Sequence, residues 1–126
     1  TAREDDEILT GITFAATSGG YAYEKQKRKI GDYATAAAGV LLTVEGGSCI
    51  SASVALTNLS DTPVYCQDAV GVLVGSSLDD AAVAAAVKAA VDASDPVADT
   101  RGPVDFKKYV AGVIVKKAIE SARSRA

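Results

Sequence analysis

Two apolar rhythms run through this chain, and they do not interleave. Up to residue 58 the apolar residues alternate, as in Ile50, Ala52, Val54 and Leu56, a period of two that suits strands. Beyond it they recur at helical spacing, as in Val83, Val87 and Val91, backed by Ala82, Ala86 and Ala90. Strands followed by helices, rather than alternating with them, predict an α+β domain. The expected architecture is an antiparallel sheet of three strands, or four, with three helices packed on one face.

The strand candidates are residues 8–15, 21–28, 34–45 and 49–58. In the first, Ile8, Thr10, Ile12 and Phe14 share one side; in the second, Tyr21 and Tyr23 oppose Glu24. Thr17-Ser18-Gly19-Gly20 is a flexible break, so residues 1–17 are expected to be the tail of a preceding domain, with 8–14 its last strand, and 18–126 the domain itself. Gly46-Gly47 after Glu45 fits a hairpin turn. Pro63 is expected to open a short helical segment, 64–73, that Gly75 closes. Asp79 or Ser77 can cap a helix running to about Ala93. Residues 94–102 read as a structured loop, and Pro103 suits the first turn of a last helix with Asp105 near its positive end. Phe106, Val110, Val113 and Ile114 make the predicted apolar stripe of that helix, and Lys116, Lys117, Arg123 and Arg125 gather towards its C-terminus.

Composition narrows the chemistry. Trp and Met are absent, so the core must come mainly from Ala, Val, Leu and Ile. With no His, the commonest general base and metal ligand is missing. Cys49 and Cys66 lie far apart and cannot by themselves build a zinc site or an iron–sulfur cluster. Both read as reduced thiols of a cytosolic protein, with a disulfide as the alternative. A net charge of -3 offers no basic field for nucleic acid or membranes, and no apolar run nears the ~20 residues of a membrane span. Residues 1–7 are charged and lack a signal-peptide layout, and a start at Thr1 suggests a fragment or a processed chain. Gly19-Gly20 lacks the rest of a dinucleotide fingerprint. Neither a P-loop nor a nucleophile with a nearby base stands out, so nothing here predicts a self-contained enzyme.

Polar chemistry concentrates in residues 24–33, where four cations occupy the five positions 25–29. Strand geometry would place Lys25, Lys27 and Lys29 on one side and Gln26 and Arg28 on the other. Gly31 permits a turn, and Asp32 and Tyr33 follow at once. Such a strip could form an anion-facing rim for a diphosphate or a flavin; equally, it could be a solvated edge strand whose lysines discourage aggregation. Residues 99–103 are a second candidate, either as a partner- or cofactor-supporting loop with Arg101 as donor, or as a capping loop. In the capping case Asp99 or Thr100 would satisfy helix N–H groups and Arg101 would pair locally.

The run GYAYEKQKRKIGDYA, residues 20–34, resembles the opening of the C-terminal domain in medium subunits of molybdenum-containing carbon monoxide dehydrogenases, within the xanthine oxidase family. The likeness continues through SVALTN (53–58), Thr62-Pro63 and Arg101-Gly102-Pro103, and into the Ala/Arg-rich end. The resemblance implies an oxidoreductase of three kinds of subunit. A large subunit with a molybdopterin cofactor oxidises carbon monoxide to carbon dioxide, and a small one carries [2Fe–2S] clusters. The medium subunit binds FAD and passes electrons to a quinone-type acceptor, in a complex expected to be a dimer of heterotrimers. It further implies that most FAD contacts lie upstream of Thr1, with residues 1–17 the tail of that FAD-binding region, and that the isolated chain holds flavin weakly or not at all and is inactive. Lys25, Lys29, Asp32 and Tyr33 are the residues it places near the isoalloxazine, with the lysines favouring the reduced, anionic flavin. The implied location is the cytoplasm, or the inner face of the membrane. Relatives that oxidise nicotine, caffeine or aldehydes share this layout, so the substrate rests on the branch alone. Two other classes compete: a subunit-assembly module with no direct flavin role, and a stand-alone binding domain, which would need a sizeable apolar pocket.

Overall fold

The computed structural model describes residues 3–126, so residues 1 and 2 of the expected tail lie outside the described residues. Four strands form one antiparallel sheet in chain order: β1 (Gly20–Gln26), β2 (Ala36–Glu45), β3 (Ser48–Thr57) and β4 (Val64–Tyr65). Gly46 and Gly47 join β2 to β3 with φ of 58° and 82°. Two successive positive φ angles give the turn whose twist matches its flanking strands, and glycine adopts them without a Cβ penalty. Glu45 therefore faces Ser48, and the register shifts once, between Thr43 and Val44.

Alternation sorts the sheet into two faces. Ala22, Ala36, Ala38, Val40, Leu42, Ala52, Val54 and Leu56 are buried beneath α1 (Gln67–Leu73), α2 (Asp80–Asp92) and α3 (Val104–Arg123). α3 crosses β1 and β2, α1 lies on β3, and α2 touches both other helices. The opposite face exposes Tyr21, Tyr23 and Tyr65. Tyr23, Gly39, Ala55 and Tyr65 lie in one row across the strands.

The last helix presents a different face from the one expected. Val110 and Ile114 are buried as predicted, together with Ala111, Val115, Ala118, Ile119 and Ala122. Phe106 and Val113, however, are 44% and 50% exposed. The cause is volume: β2 offers Ala36 and Ala38, so small residues of the helix meet small residues of the sheet and the backbones draw together. At Gly20 the approach is so close that a Cβ would strike the Ala122 carbonyl oxygen.

Three other expectations change. Residues 8–15 form no strand, and Ile8, Leu9, Ile12 and Phe14 are exposed. Alternation decides which way residues face, but a strand also needs an edge to bond to, and this run pairs with none of the four strands. The segment 64–73 divides: Val64 and Tyr65 pair with Leu56 and Ala55, and the helix begins only at Gln67. β1 ends at Gln26 rather than Arg28. As expected, Asp79 caps α2, accepting the Ala82 N–H at 2.9 Å and the Ser77 hydroxyl at 3.1 Å. Cys49 and Cys66 are free, buried thiols, and burial pushes both pKa values up.

Candidate functional site

Three loops meet at one end of the sheet: the segment after β1, the segment after β3, and the connection between α2 and α3. They enclose a cleft of about 300 Å³ whose lining includes Tyr33, Asn58, Asp61, Asp99, Arg101 and Lys107. That volume is at the low end for small-molecule sites.

The first loop is pinned at its base by the Thr35 N–H, which donates to the Gln26 carbonyl at 2.8 Å. The Asp32 N–H donates to the Lys29 carbonyl at 3.2 Å, and Gly31, at φ 84°, closes this turn. Asp32 accepts from Arg28 Nε at 3.2 Å and from the Tyr33 N–H at 2.9 Å. Asn58 Nδ2 donates to the Ala34 carbonyl at 2.7 Å, tying the second loop to the first.

The third loop is organised by a buried cation. The Lys107 side chain is only 4% exposed. Its Nζ lies 2.9 Å from Asp99 Oδ2 and donates to the Val97 carbonyl at 2.7 Å. An ammonium taken out of water is strongly unfavourable unless it is paired and hydrogen-bonded, so these partners fix the loop against α3. Asp99 also accepts the Arg101 N–H at 2.8 Å. Arg101 then reaches across the fold: Nη2 lies 3.8 Å from Asp32 Oδ1, and Cζ stands 5.8 Å from the centre of the Tyr33 ring. The Tyr33 ring itself is 79% exposed. Arg101 Nε is buried and has no partner among the described residues.

Of the four residues the sequence singles out, Tyr33 lines the cleft, and Asp32 stands next to it, approached by Arg101 but not itself lining the cleft. Lys25 and Lys29 do not line it: Lys25 is exposed on β1 opposite Ala37, and Lys29 is exposed in the turn. Lys25, Lys27 and Lys29 share no common side as a strand would give them, because the strand has already ended at Gln26. Nor does Asp99 or Thr100 cap α3, whose N-cap is Pro103 without a side-chain bond. Lys107 is absent from the sequence candidates. Its signal was available, since Lys107 falls three and four residues before Val110 and Ala111, a cation on the buried stripe of an amphipathic helix.

Two carboxylates, Asp99 at the cleft and Asp79 at the opposite end of α2, give the fold a pH dependence. The Lys107 ammonium and then the Arg101 N–H hold Asp99 below the ordinary value of 3.8. The Ala82 N–H and then the Ser77 hydroxyl do the same for Asp79. A depressed folded pKa stabilises the fold fully above the unfolded value and loses that contribution as pH falls through the folded one. Wild type should therefore exceed Asp79→Asn in stability at pH 6, and the gap should close below about pH 4. Urea midpoints for both proteins across this range check it; a gap that widens in acid contradicts the assignment.

A flat exposed ring with a planar cation behind it suits one wall of an aromatic cofactor such as a flavin. The cleft is too small for a whole dinucleotide, so these residues fit a wall and not a complete site. Among the described residues no helix is long and apolar enough to cross a membrane.

Known proteins resemble this chain in sequence and fold. The sequence profile of the CO dehydrogenase flavoprotein C-terminal domain matches residues 21–122. The chain is 49% identical over 128 residues to the carbon monoxide dehydrogenase medium chain of Afipia carboxidovorans, an alignment covering 100% of this chain and 44% of that one. It is 36% identical over 127 residues to the corresponding medium chain of Hydrogenophaga pseudoflava, covering 99% of this chain and 44% of that one. A solved structure of reconstituted CO dehydrogenase from Oligotropha carboxidovorans superposes with a TM-score of 0.86 at 50% identity, covering 91% of this chain and 40% of that chain. The chain thus spans less than half the length of the curated medium chains it matches.

Proposed function

The chain belongs to the CO dehydrogenase flavoprotein C-terminal domain family, and from this we propose that it is the C-terminal part of the FAD-binding medium subunit of an aerobic molybdenum carbon monoxide dehydrogenase. The observation that carries the reading is the Tyr33 ring, exposed at the cleft mouth with Asp32 beside it and Arg101 behind it. When bound, the flavin would relay electrons from molybdenum and [2Fe–2S] centres on a large and a small partner subunit to a quinone-type acceptor. Tyr33 supplies a flat surface for its ring system. Asp32 offers a fixed acceptor, held by the Arg28 side chain and the Tyr33 N–H. Lys25 and Lys29 act from the flanks as exposed positive charge that favours a reduced, anionic ring.

The rest of the FAD contacts belong, on this reading, to an upstream part of the medium subunit, of which residues 1–17 are the tail. The exposure of Ile8, Ile12 and Phe14 supports that placement, because their apolar surface would then be covered by the preceding domain. Oxidation of carbon monoxide to carbon dioxide is supported by the likeness to two medium chains of that enzyme. A dimer of heterotrimers, in the cytoplasm or at the inner face of the membrane, completes the proposal.

A native preparation containing molybdenum, iron and flavin with subunits of three sizes is the expected result; a colourless single-chain protein would leave the fold alone standing. At the residue level, Lys29→Ala in the assembled enzyme should lower the two-electron flavin potential. One exposed charge at such range is worth about 0.5–1 kcal/mol, or roughly 10–20 mV. Tyr33→Phe should alter acceptor kinetics. Unchanged potential and rates in both variants would remove these roles. The exposed Tyr21, Tyr23 and Tyr65 favour a second reading, an assembly surface for a partner subunit, which predicts impaired subunit association in Tyr23→Ala with the flavin potential unaltered.

A further inference from the structure

Nothing in the 27–35 loop itself fixes the outer side of the Tyr33 ring. The ring is 79% exposed, and among the described residues its recorded side-chain partner is Arg101, from the other half of the chain. Asp32, 11% exposed, is likewise approached by Arg101, at 3.8 Å, in addition to its neighbour Arg28. Arg101 can hold such a position because its own backbone is fixed. Its N–H donates to Asp99, the Asp99 and Gly102 backbones bond each other at 3.0 and 3.2 Å, and Asp99 is locked to buried Lys107 in the first turn of α3. Gly102, at φ 144°, lets the chain turn beside Phe106, whose ring atom Cδ1 would lie 2.6 Å from any added Cβ.

Resting on the flavin-wall reading above, we infer that Arg101 is a positioning residue. Its guanidinium sets the attitude of the Tyr33 ring and of the Asp32 carboxylate, and Lys107 and Asp99 hold it in place from α3. A planar guanidinium suits this task, since one face can lie against the ring while an edge points to the carboxylate. The pocket wall is then built by two distant segments, and its geometry depends on α3 as much as on the strip that carries Tyr33. Lysine at position 101 keeps the charge near Asp32 but not the flat face towards Tyr33.

The test uses the assembled, flavin-loaded enzyme with Arg101→Ala, Arg101→Lys, Tyr33→Ala and the Arg101→Ala/Tyr33→Ala pair. Amide hydrogen exchange over residues 27–35 reports positioning without reference to the flavin. It should quicken about tenfold in Arg101→Ala and less in Arg101→Lys, with β3 unchanged. Exchange within twofold of wild type, or an equal rise across β3, overturns the inference, because the loop is then either indifferent to Arg101 or simply part of a weakened fold. Flavin absorption and potential form the second arm. They should shift in Arg101→Ala and in Tyr33→Ala, and the double variant should fall short of the sum of the two single shifts, because Arg101 acts in part through that ring. Strictly additive shifts would refute action through Tyr33. Quickened exchange with an unmoved flavin in every variant would uphold the positioning role and sink the flavin wall instead.

Discussion

Gly20→Ala should lower the urea midpoint of unfolding markedly, while Gly112→Ala should raise it. A single methyl is added in both, but the surroundings differ. At position 20 the new Cβ would strike the Ala122 carbonyl oxygen and come within 2.5 Å of the Ala126 nitrogen and 2.8 Å of the Arg125 carbonyl carbon. The last two residues of the chain can yield, but Ala122 lies within α3 and cannot move without lifting the helix from β1. Overpacking of that kind costs about 1–3 kcal/mol, and backbone obstruction puts this case near the top of the range. At position 112 the added Cβ would sit 3.6 Å from methyl groups of Val87 and Val91, an ordinary contact. There the helix gains about 0.5–1 kcal/mol from losing a mid-helix glycine. Equal effects, or effects of the reverse sign, would mean that the α3–β1 approach is not as close as described.

Lys107→Ala should cost about 1.5–3 kcal/mol, the usual range for hydrogen bonds that involve a charged group. The Val97 carbonyl and the Asp99 carboxylate lose their shared donor, and the apolar stem that fills the base of the cleft disappears. Lys107→Met keeps the stem and should cost less. Both variants should let the Asp99 pKa climb back towards its ordinary value, since the ammonium is the largest cause of its depression. Urea midpoints and a carboxyl NMR titration read the two effects separately. A Lys107→Ala protein with wild-type stability and an unmoved Asp99 titration would show that the buried cation does not organise the loop.

The parts of the fold that could be read in advance are those that local rules govern. Gly46-Gly47 fits one kind of turn, so β2 and β3 pair in the register that turn allows. Asp79 caps α2 because a short carboxylate at that point meets an open N–H wherever the helix is placed. Asp32 and Tyr33 are adjacent in sequence, and a turn through Gly31 delivers both to one place. By contrast, Phe106 and Val113 have the right spacing for the core and are exposed, while Lys107 is buried. Periodicity gives the helix an apolar stripe but not its exact rotation, which the small residues of β2 decide. Residues 8–15 show that alternation alone does not make a strand.

The sequence by itself determined the order of β1, β2, β3 and the three helices, the hairpin between β2 and β3, and the acid–tyrosine pair that ends the basic strip. These follow from interactions between residues close along the chain, whose geometry is nearly independent of the rest. Only the tertiary structure decided that Arg101 stands behind Tyr33, that Lys107 is buried beneath the α2–α3 connection, and that Gly20 must remain without a side chain. Each of those depends on where two distant segments come to lie, and that is set by the volume left between α3 and the sheet, a quantity no single stretch of sequence carries.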